Sequence, residues 1–229
     1  MLKIKLEPKQ NIWITSDTHY NHKNICRGTT NWRTQDGQVP IDSTRPFETI
    51  EEMNRVIIDN INNNVGQDDI LIHLGDWSFG GFESIEAFRE RIICKNIHLI
   101  LGNHDHHIDR NRDNSQRHFV TVDTLTQFEL KYTNRNKENI TQMFTLCHFP
   151  ISSWYGLNDG VIHLHGHVHL SNDKKFGRGK KMDVGVDGHT EFRPYNIIDE
   201  VLPLMRGREI MSDMLFDHHT QRFLGQDGR

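Results

Sequence analysis

His98-Leu99-Ile100-Leu101-Gly102-Asn103-His104-Asp105 is the stretch on which the reading of this chain turns. An apolar run stops at a glycine, and an amide, an imidazole and a carboxylate follow it directly. The run predicts a buried strand, and the glycine marks where the backbone leaves the sheet. Polar side chains at the carboxyl end of a parallel strand lie where open α/β sheets bind their ligands. Alone, Gly-Asn-His-Asp would read as a surface turn. It gains weight because four other predicted strand ends finish in residues of the same kind.

Working outward, residues 12–15 form a short apolar strand that runs into Asp17 and His19. In extended backbone these two point the same way, so together they can grip one cation. Residues 70–74 form a second strand, ending in Gly75-Asp76. Residues 143–147 lead to His148, and residues 161–165 lead to Gly166-His167-Val168-His169, where the two histidines repeat the spacing of Asp17 and His19. His163 and His165 precede that glycine and read as hydrogen-bonded support rather than direct ligands. His22 reads equally as a site group and as a helix-start residue. His106 and His107 read as solvated, and His218 and His219 show no ligand geometry.

Between these strands the period changes to that of helices. Pro46 is read as opening a helix whose inward face is Phe47, Ile50, Met53, Ile57, Ile58 and Ile61, ended by Asn62-Asn63-Asn64 and Gly66. A second helix is expected from about Ser84 to Cys94, with Ile85, Phe88, Ile92 and Ile93 facing in. Strand, helix, strand, helix, strand implies a mostly parallel sheet with helices packed on it. Residues 120–122, 128–132 and 143–147 then read as strands without long helices between them, with a hairpin loop at 134–139. Residues 182–187 and 195–198 are the last expected strands, and residues 23–45 a long loop of the functional kind.

The 229 residues are read as one domain, with a C-terminal extension from about residue 203. Net charge is −4, which fits neither a nucleic-acid protein nor an acidic tail. A basic loop does follow the paired histidines, with Lys174, Lys175, Arg178, Lys180 and Lys181. It reads as a solvated face or as a contact for an anionic substrate. Three scattered cysteines, Cys26, Cys94 and Cys147, form no CxxC pair, so a reducing compartment without disulfides is expected. The first residues lack a signal-type apolar region, and no apolar run approaches about 18 residues. A cytoplasmic protein that does not engage membranes is the expectation.

The strand ends therefore supply Asp17, His19, Asp76, Asn103, His104, His148, His167 and His169. These exceed what one tetrahedral ion can use, and all are oxygen or nitrogen donors. Such a set suits two divalent ions roughly 3.5–4 Å apart, bridged by a carboxylate.

The five blocks, in this order, resemble the calcineurin-like metallophosphoesterase superfamily. The flanking residues 17–25 and Arg45-Pro46-Phe47 look like its small bacterial and bacteriophage members. The resemblance implies an α/β chain (α+β by some schemes) folded as a four-layer αββα sandwich. It implies that Asp17, His19 and His169 hold one metal, that Asn103, His148 and His167 hold the other, and that Asp76 bridges them. Manganese is the expected metal, with iron, zinc and nickel as alternatives. A metal-bound hydroxide would attack phosphorus, and His104 would face the substrate, stabilising charge or protonating the leaving oxygen.

One departure is informative. Protein phosphatases of the superfamily carry an Asp and an Arg shortly after the bridging Asp, where this chain has Phe79 and Gly80. The acid that would orient His104 and the arginine that would hold phosphate are absent there. Arg27, Arg33, Arg45 or the basic loop are the candidates to supply the charge, with His22 and Arg45 taken as substrate contacts. Asp105 is a candidate to orient His104. The leading expectation is a phosphodiesterase or phosphomonoesterase acting on a small phosphate ester. The alternatives are a metal-dependent nuclease, which would make nucleic acid the partner, and a non-catalytic scaffold of the same fold.

Overall fold

The structure, a computed structural model, describes residues 1–210. His218, His219 and most of the C-terminal extension lie outside the described residues. In chain order the strands are β1 (Leu2–Lys5), β2 (Ile12–Thr15), β3 (Ile70–His73), β4 (Asn96–Ile100), β5 (Thr121–Asp123), β6 (Leu125–Thr133), β7 (Asn139–Cys147), β8 (Ile162–His165), β9 (Lys181–Asp183) and β10 (Tyr195–Asn196). The helices are α1 (Ile50–Asn64), α2 (Phe82–Arg91), α3 (His106–Arg110), α4 (Arg112–Ser115) and α5 (Leu202–Arg206). Two five-stranded sheets result, ordered β10-β2-β3-β4-β5 and β1-β6-β7-β8-β9. Neighbours from β2 to β5 are parallel, as are β7, β8 and β9, while β6 and β7 form the expected antiparallel hairpin.

Side-chain alternation along the strands builds two cores. Ile12, Ile14, Ile70, Ile72, Phe128, Phe144, Leu146, Ile162 and Leu164 meet between the sheets. Leu71, Ile97 and Leu99 point the other way and pack on Met53, Ile57, Ile58, Ile61, Ile85 and Phe88 of α1 and α2. The result is a mixed α/β sandwich with two central sheets and a helical layer over one of them. Over the other sheet, among the described residues, the outer cover is thin: a loop with a short 3-10 helix (Leu157–Asp159) that buries Trp154, Leu157 and Val161.

Register places the site. Thr15 lies beside His73, and His73 beside Leu99, so β2, β3 and β4 end at nearly one level. In the second sheet Leu146 lies beside Leu164, and His165 beside Asp183. A parallel bridge between Ser16 and Gly185 ties the two sets of strand ends together. The loops that carry the expected ligands therefore meet along one edge of the sandwich.

Several boundaries differ from the sequence expectation for local reasons. α1 begins at Ile50, not at Pro46. The Thr49 hydroxyl accepts the Glu52 N–H at 3.1 Å, and the Glu52 carboxylate accepts the Glu48 N–H at 3.0 Å, closing a capping arrangement there. Residues 45–47 instead pair with residues 25–28, which keeps them extended. Ile93 lies beyond the end of α2 and is 49% exposed, whereas Ile92 is buried. β1, absent from the sequence expectation, pairs with β6 and buries Ile4. β9 stops at Asp183, and the segment after β10 is a π-helical turn rather than a longer strand. Cys26, Cys94 and Cys147 are free and buried. No helix among the described residues is long and apolar enough to cross a membrane.

Candidate metal centre

The backbone that presents the donors is not extended. Asp17, His19, Asp76, His167 and His169 all have positive φ, between 48° and 73°. Side-chain-bearing residues enter this left-handed region at a cost of order 1–3 kcal/mol each. Asp17 and His19 therefore reach a common point through left-handed turns, not through the alternation of a strand. The strain is held by neighbouring loops. Asp17 donates its N–H to Gly75 O at 2.9 Å, and His19 donates to Asp76 O at 3.0 Å. The Asp17 carboxylate accepts the His167 N–H at 3.0 and 3.1 Å, locking the first loop to the last.

Asp105 is a second clamp. Its buried carboxylate accepts the N–H groups of Asp76 (2.8 Å), Trp77 (3.0 Å) and Gly102 (2.8 Å). Burial pushes this carboxyl up to about 6 against those hydrogen bonds. Asp105 thus ties the β3 and β4 loops together and makes no contact that orients the His104 ring. Gly102 is needed for closeness rather than for a special φ, since a Cβ there would fall on Asp76. Gly166 is constrained likewise against Ser16 and Asp17.

The donors converge. Atoms of Asp17, His19 and His169 lie within 4.8 Å of one another, and so do atoms of Asp17, Asp76 and His148. Asp76 Oδ2 sits 3.3 Å from His19 Nε2 and 3.6 Å from His148 Nε2. Asn103 Oδ1 is 3.1 Å from His148 Nε2 and 2.9 Å from His167 Nδ1. The seven expected ligands are thus gathered in one cluster, with Asp76 between its two ends.

Hydrogen bonds on the far side of two rings decide what they present. His148 Nδ1 lies 2.7 Å from the carbonyl of Leu74, which can only accept. That ring therefore keeps its proton on Nδ1 and turns a lone pair inward from Nε2. His169 Nδ1 lies 2.7 Å from Asp187 Oδ2 and is fixed in the same sense. Lone pairs and carboxylate oxygens facing one another at such distances repel unless a proton or cation sits among them. Burial pushes Asp17 up to about 7 and drives His19 well below its ordinary value. His169 is shifted the other way, held above its ordinary value against burial by its bond to Asp187 and by the Asp17 charge; the oxygen and nitrogen donors together are a set that fits divalent cations.

Arg45 and Asp187 form the support. Arg45 is buried and pairs with both carboxylate oxygens of Asp187 at 2.8 Å. It also donates to the carbonyls of Asp17 (2.6 Å) and Thr18 (2.9 Å). Burial would raise the Asp187 carboxyl, but the Arg45 charge and hydrogen bonds outweigh it and hold the group far below the carboxylate range. The expected substrate contact of Arg45 is therefore largely committed to Asp187 and the Asp17–Thr18 backbone, although the side chain borders the site cavity. Sequence reasoning missed Asp187. Its signal was the apolar-Gly-apolar-Asp run of Val184-Gly185-Val186-Asp187, close in kind to Leu74-Gly75-Asp76. Asp187→Asn is expected to weaken metal affinity about 10–100-fold, read by titrating metal into chelator-stripped protein.

A cavity of about 770 Å³ opens over the cluster, lined among others by His19, His22, Asp76, Asn103, His104 and His169. His104 donates its backbone N–H to Asp76 Oδ1 at 2.9 Å. Among the described residues its ring nitrogens make no hydrogen bond. Its ring is set by neighbours: His19 at 5.4 Å, Phe79 at 5.4 Å and His22 at 6.1 Å between centroids. His22 precedes the 3-10 helix Lys23–Ile25 without a side-chain capping bond to it, and lines the cavity, stacked on Phe79 at 4.1 Å. Burial and the nearby His104 and Arg45 charges push it down to about 4.

The other basic candidates point elsewhere. Arg27 donates to the carbonyls of Ile41 and Thr44, and Arg33 to those of Thr30 and Trp32. In the basic loop, Lys175 donates to Asn172 at 2.7 Å, Lys180 donates to the Met205 carbonyl at 2.8 Å, and Lys181 is buried. His163 and His165 bond to backbone groups and stay outside the donor cluster.

A family model described as calcineurin-like phosphoesterase matches residues 10–216. The uncharacterized protein MJ1445 of Methanocaldococcus jannaschii is 32% identical over 179 residues, 76% of this chain and 80% of that protein. The crystal structure of AQ665, a protein of unknown function from Aquifex aeolicus, shares the fold with a TM-score of 0.51 at 18% identity. That alignment covers 82% of this chain and 96% of the other.

Proposed function

The chain belongs to the calcineurin-like phosphoesterase family, and from that premise we propose that it is a two-cation phosphodiesterase acting on a small ester. Asp17, His19 and His169 would hold one divalent ion, Asn103, His148 and His167 the second, and Asp76 both, with manganese the favoured metal. When bound, such ions neutralise phosphate charge, polarise phosphorus–oxygen bonds and acidify water. The chain's own residues do the rest. Asp187 and Leu74 O fix two imidazoles, Asp105 and Asp17 lock the loops, and His104 faces the cavity where a leaving oxygen would depart.

The observation that carries the reading is the Asp76 carboxylate standing between His19 (3.3 Å) and His148 (3.6 Å) beneath one cavity. The preference for a diester rests on charge. Among the described residues Arg45 is the one guanidinium bordering the cavity and is neutralised by Asp187, and no lysine lines it. Beyond the two ions, a monoester dianion would find no free side-chain cation for its further charge, whereas a diester carries a single charge. A nuclease reading has less support, because three of the basic-loop lysines turn inward.

Bis(4-nitrophenyl) phosphate and 4-nitrophenyl phosphate share a leaving group and isolate this preference. With Mn²⁺ the diester is expected to show kcat/KM roughly tenfold higher, about the value of one charge-assisted contact, and chelator-stripped protein to be inactive. Equal rates with and without metal would overturn the reading, and a faster monoester would overturn the diester preference.

A further inference from the structure

Beside the donor cluster the cavity has a wall made of rings. His19 and His22 lie 5.1 Å apart between centroids, and Trp32 meets His22 edge-on at 5.9 Å and 88°. Phe79 stacks on His22 at 4.1 Å and 7°, and reaches His104 at 5.4 Å. The wall thus starts at a candidate ligand and at the candidate acid, and runs outward by two ring spacings.

The outer members of this wall are not core. Trp32 is 39% exposed and Phe79 is 40% exposed, although both side chains are large and apolar. Of the four tryptophans, Trp77 and Trp154 are buried, and Trp13 spends its indole N–H on Asp69 at 3.1 Å. Trp32 faces the cavity instead. Its position is held by the chain: its N–H bonds to Thr30 Oγ1 at 3.1 Å, and its carbonyl accepts from Arg33 at 2.6 Å. Burying the exposed faces of two pre-positioned aromatic rings is a gain available only to a ligand that brings a flat apolar surface.

We infer that Trp32 and Phe79 form a subsite for a planar aromatic group, nucleobase or aryl, carried on the ester next to His104. This rests on the phosphoesterase reading for the place of the phosphate, and it adds the class of group attached to it. A phosphate at the donor cluster would lay that group along the wall, where stacking is tolerant of the ring's identity.

The test is a binding measurement, so it does not depend on turnover. Adenosine 5′-monophosphate, phenyl phosphate and ribose 5-phosphate carry the same phosphate and differ in the ring. They are titrated by calorimetry into Mn²⁺-loaded protein, with tryptophan fluorescence as a second readout. Adenosine monophosphate is expected to bind about tenfold tighter than ribose 5-phosphate, the order of one stacked base, and to quench fluorescence. Trp32→Ala should abolish the quench and bring that ratio close to one. Phe79→Leu should reduce the ratio while keeping an apolar side chain in place. Phenyl phosphate matching the nucleotide assigns the subsite to aryl groups in general, and phenyl phosphate matching ribose 5-phosphate assigns it to nucleobases. Equal affinity of the nucleotide and ribose 5-phosphate, no measurable nucleotide binding, or an unchanged ratio in Trp32→Ala would overturn the inference. If the esters are hydrolysed while the ratio is one, the inference fails and the phosphoesterase reading stands. If the ratio holds while no ester is hydrolysed, the reverse applies.

Discussion

Asp76→Asn is expected to lower kcat/KM for a phosphodiester by roughly 10³-fold, the upper range for removing one charge-stabilising group from a pre-organised site. It should also cut the metal content of the purified protein to one ion per chain or fewer. The reason is position. Asp76 Oδ2 stands between His19 Nε2 at 3.3 Å and His148 Nε2 at 3.6 Å, so its charge serves both ends of the cluster. Its other oxygen accepts the His104 N–H at 2.9 Å, and an asparagine oxygen can keep that bond. The substitution therefore removes charge with little change of shape. It also removes a negative neighbour that raises the Asp17 carboxyl. Metal-free Asp76→Asn should thus melt no lower than the metal-free parent, while the metal-dependent rise in Tm shrinks, because stabilisation follows the ratio of ligand concentration to Kd. Full metal content in this variant, counted by elemental analysis, would remove Asp76 from the bridging position. A lower Tm without metal would make the loss one of folding.

The parts of this molecule that were legible in the sequence share one cause. Where an apolar strand stops and a donor follows, the strand must be buried and the donor must sit at its end, so local pattern and tertiary place coincide. Asp17, His19, Asp76, Asn103, His148, His167 and His169 all follow such strand ends in the sequence, and the fold gathers them in one cluster. The conformation was not legible. Positive φ at Asp17 and His19 is imposed by hydrogen bonds to Gly75, Asp76 and His167, residues between 57 and 150 positions away. Asp187 was missed because its effect passes through His169, and Arg45 was given to the substrate because its partner lies 142 residues further on. The start of α1 was misplaced for a similar reason. Pro46 is a good first residue for a helix, but pairing of residues 45–47 with residues 25–28 outweighs that preference. β1 is four residues long and finds its reason only in β6, far along the chain. Sequence pattern thus reports what a residue needs locally, and it fails where distant backbone decides.

His104→Gln is expected to reduce kcat by roughly 10²–10⁴-fold, the range for a positioned proton-transfer group, with metal content unchanged. The side chain lines the cavity but belongs to neither donor group, so its loss should leave the ligands in place. Its backbone N–H, which holds Asp76 Oδ1 at 2.9 Å, survives the substitution. The leaving group then separates two roles. If His104 delivers a proton to the departing oxygen, a 4-nitrophenolate, which departs without one, should suffer far less than an alkoxide. The kcat ratio of parent to variant should therefore climb as the pKa of the leaving alcohol rises. If His104 instead steadies charge on the phosphoryl oxygens, the ratio should be flat across the series. The ring is framed by His19, His22 and Phe79, and among the described residues no side chain hydrogen-bonds to it. A flat dependence would move His104 to a charge-stabilising role, and loss of metal in the variant would make it a member of the donor cluster.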